Sequence, residues 1–429
     1  MDNISCSTRT AAFRGWSAAY LENGLIRLAA VPDIGGRIMA YDLGPYAYLF
    51  VDPDLEGKLF TPEENQGDGS LAAWKNYGGD KTWPAPQGWD NDQQWHGPPD
   101  PVLDTGRYKL DTLEGNGEEA LVRMVSPADV KTGVQISRQF TIRQGSSRVY
   151  LDLTFTNTLD KPIRWSIWDV VQLRAEQRTP SGKTAFDPHC FVTAPLNLNS
   201  RFPDGFKVMF GDDDNPQWQI DEQNGLFKGQ YLWEIGKVGL DSPGGWIAFS
   251  QGTAGYAFTE RFNYEESAEY PDDGATVECW TVGAGQVANL DYSATEIYLM
   301  ETEVLGPMRT IAPGDSTSFT IEWGACRCPG PVVEVNEVGC VAERLQAGVG
   351  DGYVRLTGKF GLFDIGQLSL SWINEDGQSV NQQSLGKVDP LTAVLLDRVL
   401  PVPKGAKSVR LQTSSTLGQN PVLAQTSLE

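Results

Sequence analysis

The chain has 429 residues, 40% of them hydrophobic, with 46 glycines, 26 prolines and a formal net charge of -22. That length is too great for one typical domain and sufficient for a large core, and the composition excludes disorder and fibre in favour of a turn-rich globular protein. The negative charge argues against nucleic acid and anionic membrane as partners and fits a neutral or weakly polar ligand.

Residues 1–16 hold no apolar core of signal-peptide length, and no run approaches a membrane span, so a cytoplasmic protein is expected. The six cysteines (Cys6, Cys190, Cys279, Cys326, Cys328, Cys340) follow no framework spacing, and Cys326 and Cys328 lack the second pair a zinc site needs. Reduced thiols are expected. With His96 and His189 the only histidines, a histidine-based metal centre is disfavoured, and no metal or cofactor is expected.

Short alternating runs follow one another along the chain: LIRLAAVP from Leu25, RIMAYDLG from Arg37, ALVRMV from Ala120, GVQISRQFTI from Gly133, RVYLDLTFTNT from Arg148 and IRWSIWDVVQL from Ile163. They are β-branched and aromatic, with Gly, Asn, Asp and Pro turns between them, and predict strands. No amphipathic helix of three turns precedes position 330, so the fold class is all-β, a sandwich or barrel, with short helical pieces around residues 65–74.

Proline and glycine break the pattern at residues 326–331. Beyond it, YVRLTGKF, QLSLSWINEDGQSV and SVRLQTSS predict strands, with a turn at Asp376-Gly377, in a segment of the right length for a small Ig-like sandwich. The boundary is placed between residues 1–328 and residues 329–429. From Gly330 onward eight Lys or Arg stand against ten Asp or Glu, a net of -2, which leaves -20 for the first part. Twelve of the thirteen tryptophans also precede position 330, so any site belongs to the first domain.

Four features there carry chemistry. Residues 65–101 form a long irregular segment with Trp74, Trp83, Trp89 and Trp95, more often functional than a mere connector. Within it, Asn76 and Lys81 offer polar groups beside Trp83, which suits a sugar cleft, since pyranose C–H faces stack on rings while hydroxyls take hydrogen bonds. The same loop also reads as one held to the sheet by buried tryptophans. On the 163–173 strand, Trp168 and Gln172 share a face that fits a ligand groove, with two packed core faces as the alternative. Glu301 and Glu303, two apart on a late strand, break alternation and place two carboxylates on one side of a sheet, either as a working pair or on a solvated face. The fourth feature is YPDDGATVECW from Tyr270: a turn at Asp272-Asp273-Gly274, then Glu278 on a strand. The acids Glu265, Glu266, Glu269, Asp272 and Asp273 predict a solvated rim. His96 is a candidate general acid by its place in the Trp-rich loop. No G-x-S-x-G elbow, P-loop or dinucleotide fingerprint is present, which removes support for serine hydrolysis, NTP chemistry and NAD chemistry.

Six segments in consistent order over residues 10–326 resemble the galactose mutarotase-like superfamily, and within it the DUF4380-type proteins. They are VPDIGGRIMAYDLG, NYGGDKTWPAPQ, TNTLDKPIRWSIWDVVQ, EIGKVGLDSPGGWIAF, YPDDGATVECWT and the METEVLGPMRTIAPGDS run. The resemblance implies a β-supersandwich with a carbohydrate cleft across one concave sheet. It further implies a glutamate base on a late strand, where the pattern L-E-T-Q lies over Met300-Glu301-Thr302-Glu303, so Glu301 resembles that base. A histidine acid is implied as well, yet the family's H-G-G stands here as Tyr77-Gly78-Gly79, and the strand that presents the acid reads Trp168-Asp169-Val170. Tyr77, Lys81 or His96 are the substitutes for that acid.

The resulting expectation is a galactose mutarotase-like β-supersandwich followed by a small Ig-like sandwich. Its catalytic candidates are Glu301, His96 and Tyr77. Its substrate-binding candidates are Arg37, Asn76, Lys81, Trp83, Trp168, Gln172, Lys237, Tyr270, Glu278 and Glu303. The expected partner is a small or oligomeric carbohydrate. Three readings stand: an aldose epimerase or mutarotase-type enzyme with Glu301 as base, a non-catalytic sugar-binding or scaffold protein, and a lyase on an acidic sugar with cations such as Arg37, Lys81 or Lys237.

Overall fold

Alternation dictates the architecture. The Val134–Arg143 strand buries Val134, Ile136, Arg138, Phe140 and Ile142 and leaves the residues between them half exposed, the pattern of a sheet with one face on a core. All six early runs form strands, and so do the three beyond the boundary. The computed structural model describes residues 5–91, 93–293, 295–414 and 420–428. Among the described residues the α-helix is a single short one, Pro62–Gln66, closed by a capping box between Thr61 and Glu64, with 3-10 turns at Pro32–Ile34 and Leu71–Ala73. None is long and apolar enough to cross a membrane.

Two large antiparallel sheets, of twelve and ten strands, face each other across the main core. Six strands of the larger sheet position the site: β1 (Arg37–Leu43), β2 (Asp80–Ala85), β3 (Ile163–Arg174), β4 (Gly236–Leu240), β5 (Val277–Thr281) and β6 (Leu299–Leu305). Their order across the sheet is β1-β2-β3-β6-β5-β4. All seven residues of β6 and all six of β2 are buried, which is why Glu301 and Glu303 interrupt an apolar run in sequence. β2 corrects the expectation of an irregular 65–101 segment: its centre is a strand paired with β3.

The inter-sheet face is not wholly apolar. Arg138, from the second sheet, pairs with Asp80, donates from Nε to Thr82 Oγ1 at 2.9 Å and from Nη1 to the Gly36 carbonyl at 2.6 Å. Thr82 passes its own hydroxyl hydrogen to Asp169 Oδ1 at 2.8 Å. Burial, followed by the neighbouring Asp80, raises the Asp169 pKa well above the carboxylate range. Glu260 is raised likewise, first by burial and then by Asp169.

Beyond residue 330, two four-stranded sheets pack around a second apolar cluster that includes Val341, Leu356, Phe360, Leu370, Trp372 and Leu411. The six cysteines are free and buried.

Candidate functional site

Strand register brings the polar residues of one sheet face into rows. Lys81 lies opposite Val170, Val170 opposite Glu303, and Glu303 opposite Glu278. In the neighbouring row, Gln172 lies opposite Glu301, Glu301 opposite Trp280, and Trp280 opposite Lys237. Gly78 and Gly79 make the approach of β2 possible. Gly79 has φ +72°, and a Cβ there would stand 2.5 Å from the Ile38 carbonyl oxygen on β1.

Glu301 is held on one oxygen. Lys81 Nζ donates to Oε1 at 3.0 Å and Gln172 Nε2 donates to the same atom at 2.6 Å. No hydrogen bond from a described residue reaches Oε2, and the side chain lines the cleft. Lys81 is itself buried, with Nζ 4.9 Å from the Trp83 ring centroid; burial lowers its pKa and Glu301 partly restores it.

A second cluster sits beside the first. Lys237 Nζ lies 2.6 Å from Glu278 Oε2, 3.0 Å from Glu303 Oε2 and 4.4 Å from the Trp168 ring centroid. Trp168 Nε1 donates to Glu303 Oε2 at 2.9 Å. Burial works against the Lys237 charge, yet Glu278 and Glu303 outweigh it and raise its pKa. One ammonium cannot neutralise both carboxyls. Burial, against the pull of Lys237 and helped at Glu303 by the facing Glu278 and at Glu278 by Asp272, pushes Glu303 up to about 8 and Glu278 up to about 7, so the pair keeps a proton at neutral pH. Asp272 joins this cluster, its pKa raised by burial and its backbone left-handed at φ 53°. The expected solvated rim therefore needs correction at Asp272, which the turn drives toward Lys237. Glu265 and Glu269 do lie outside, paired with Arg309 and Arg164.

Over these floors opens a cleft of about 1630 Å³. Trp83 stands at the centre of an indole cluster along it, its ring centroid 6.2 Å from that of Trp74, 4.9 Å from that of Trp95 and 5.4 Å from that of Trp168. Asn76 Oδ1, Trp83 Nε1, Gln172 Oε1 and Glu303 Oε1 are buried without a hydrogen-bond partner among the described residues, and all four side chains line the cleft. Indole faces beside unpaired donors and acceptors suit a polyhydroxylated ligand.

The structure gathers Asn76, Trp83, His96, Trp168, Gln172, Lys237, Glu301 and Glu303 on this cleft, with His96 exposed at its mouth. Lys81 and Glu278 lie directly behind, bonded to Glu301 and Lys237. Three expectations are not met. Tyr77 is packed edge-on against Trp16 with centroids 5.9 Å apart, and burial pushes its hydroxyl up to about 12, so it stands away from the lining. Arg37 is buried in an ion pair with Asp104 and donates to the Gly78 carbonyl at 3.0 Å, bracing the loop instead of facing a ligand. Tyr270 stacks on Tyr264 and accepts the Glu265 N–H at 2.9 Å. Sequence reasoning missed Trp280 and Asp272. Trp280 stands two residues after Glu278 and so shares its face, a signal legible in ECW.

The profile of a family described as Domain of unknown function (DUF4380) matches residues 18–181. No curated protein matches the chain. Among solved structures, the chain is similar to a protein assigned as an aldose 1-epimerase from Klebsiella pneumoniae subsp. pneumoniae, at 11% identity over 73% of this chain and 80% of that one, with a TM-score of 0.50. It is also similar to a galactose mutarotase-like protein from Clostridium acetobutylicum, at 10% identity over 76% and 100%, TM-score 0.47. A TPR-domain containing protein from Parabacteroides distasonis gives 13% identity and TM-score 0.46, and there the chain covers 75% of itself but spans only about half, 49%, of the other's length. At such identities the likeness is one of fold: this is an all-β protein of the galactose mutarotase-like fold. Within that fold, its segment 18–181 carries the DUF4380 sequence pattern.

Proposed function

We propose that the cleft binds carbohydrate and acts at the anomeric carbon, in the manner of an aldose epimerase, with Glu301 as general base. The observation that carries this reading is the carboxylate of Glu301: one oxygen is fixed by Lys81 and Gln172, and the other opens onto an indole-walled cleft. Glu301 Oε2 takes the proton of the anomeric hydroxyl as the C1–O5 bond opens, and the ring oxygen must gain a proton in the same event. Glu303, which lines the cleft and shares a retained proton with Glu278, gives that proton to the ring oxygen, and Lys237 steadies the carboxylate left behind. Lys237 and its carboxyls thus take the role for which a histidine was sought, and no catalytic part is needed for Tyr77.

A second reading, a non-catalytic sugar-binding protein, is supported by the Lys81–Glu301 ion pair, which gives that carboxylate a structural partner without any substrate. Polarimetry on a panel of aldoses separates the two. Glu301→Gln is expected to lower the interconversion rate at least about 100-fold while sugar binding persists. Equal rates for wild type and variant would remove the base; a wild type that binds sugars without interconverting them would leave the binding reading.

A further inference from the structure

The cleft is larger than one sugar ring requires. Pockets that enclose a whole drug-sized ligand measure roughly 300–1,000 Å³, and this one has about 1630 Å³. Glu301 and Lys237 occupy a small part of its floor. Its lining also includes Asn289, whose side chain accepts the Ala72 N–H beside Trp74, and Lys131 and Lys161, which flank the Thr132–Trp165 hydrogen bond.

Two features of the outer cleft have no part in holding the fold together. Trp89 lines the cleft yet is 70% exposed, and no ring contact joins it to another described aromatic. Such an indole presents an unused face to a bound ring. At the far mouth, two turns interlock: Thr158 N–H donates to the Gly133 carbonyl at 2.8 Å, Trp165 Nε1 donates to the Thr132 carbonyl at 3.0 Å, and Asn157 Nδ2 donates to the Lys161 carbonyl at 2.8 Å. They fix Lys131 and Lys161 on the same rim, both exposed, neither in an ion pair nor in a side-chain hydrogen bond among the described residues. Arg164 adjoins them and is held by Glu269 at 2.6 Å. The acids nearby are Asp160, exposed beside Lys161, and Asp129, buried and occupied by the Thr132 N–H and hydroxyl. Arg164 is matched by Glu269 and Asp129 is occupied within its own turn, so in a chain of 34 basic and 56 acidic residues this rim offers two unpaired lysines against one exposed acid, Asp160.

We infer that the ligand is an oligosaccharide of several rings carrying an anionic group, with one ring on the Glu301 floor, one against Trp89 and the anion at Lys131 and Lys161. This rests on the carbohydrate reading and specifies the class of sugar.

The test is binding of the full chain to an array of glycans of one to six rings, in neutral, uronate-bearing and sulfated series, followed by titration calorimetry on the best of each. Affinity is expected to rise at least about tenfold from one ring to three or four, as stacking platforms are added. Anionic chains are expected to bind about tenfold better than neutral ones of equal length, an advantage that shrinks with salt. Comparison of the uronate and sulfated series names the anion. Lys131→Glu with Lys161→Glu should erase the anionic preference and leave neutral binding unchanged. Trp89→Ala should weaken the longer chains severalfold and leave single rings unaffected. Both substitutions are at the surface, so the fold is retained. Single rings bound as tightly as longer chains, or an anionic preference that survives the lysine changes, would overturn the inference while the carbohydrate reading stands. An array without any bound glycan would overturn both.

Discussion

Replacing Glu303 by Gln tests whether the floor of the cleft keeps a proton. Glu303 and Glu278 lie directly opposite on β6 and β5, with Lys237 paired to both. Burial and the facing carboxyl raise the Glu303 pKa from 4.5 to about 8. The folded chain therefore retains a proton that the unfolded chain releases. The stability linked to this group is present in full below about pH 4.5 and is lost as the pH climbs to about 8. At 1.36 kcal/mol for each pKa unit, the loss is about 5 kcal/mol at most, and sharing of the proton with Glu278 reduces it to about 3–5 kcal/mol. Glutamine keeps the shape of the protonated acid, removes this titration and leaves Lys237 wholly to Glu278. Urea unfolding at fixed ionic strength, from about pH 5 to about pH 9, gives the free energies for both proteins. The variant is expected to gain on the wild type by about 3–5 kcal/mol across that range. Parallel pH curves would refute the shared proton, and with it the supply of a proton to the ring oxygen.

Arg138→Met removes the guanidinium facing Asp80 and Asp169 and should cost about 3–5 kcal/mol in the same unfolding assay; a loss below about 1 kcal/mol would show that these acids are neutral without it. Gly79→Ala forces a Cβ against the Ile38 carbonyl at φ +72° and should cost at least about 2 kcal/mol, read as a lowered urea midpoint with unchanged slope. Trp168→Phe keeps the ring but withdraws the hydrogen bond to Glu303, with an expected loss of about 1–3 kcal/mol; an unchanged midpoint would mean that Lys237 alone satisfies that oxygen.

Much of the scaffold could be read from local pattern. The runs at Leu25, Arg37, Gly133 and Ile163 are strands because alternation is a property of a few consecutive residues. The same rule placed Glu301 with Glu303, and Trp168 with Gln172, on shared faces. Relations between strands were harder, because they depend on register across long separations. Nothing in DKTWP or FTERF announces that Arg138 will reach Asp80, or that Glu260 will lie near Asp169. Lys237 was legible as a cation; that it would sit between Glu278 and Glu303 follows only once β4, β5 and β6 are adjacent. Tyr77 misled because its neighbours Gly78 and Gly79 turn the chain there, so the motif keeps its backbone role while the side chain at its head points into a separate apolar cluster.

The two faces of β2 show why the floor is stiff. Asp80 and Thr82 point to the core, Lys81 and Trp83 to the cleft, so four consecutive residues serve alternately as anchor and as site. Arg138 reaches from the second sheet to Asp80 and Thr82 on β2 and to the Gly36 carbonyl that precedes β1, and it lies 3.7 Å from Asp169 on β3. One guanidinium thereby fixes three neighbouring strands of the first sheet to the second. A residue on the cleft face cannot shift without its strand, and its strand cannot shift without breaking a buried charged hydrogen bond. Lys81 inherits its position from this arrangement, and Glu301 inherits its own from Lys81 and Gln172. A buried charge network is an expensive way to stabilise a core, and apolar residues of the same volume would do as well or better. Its place directly beneath Lys81, Trp83 and Trp168 accounts for it instead as a device that holds cleft side chains to a fixed geometry.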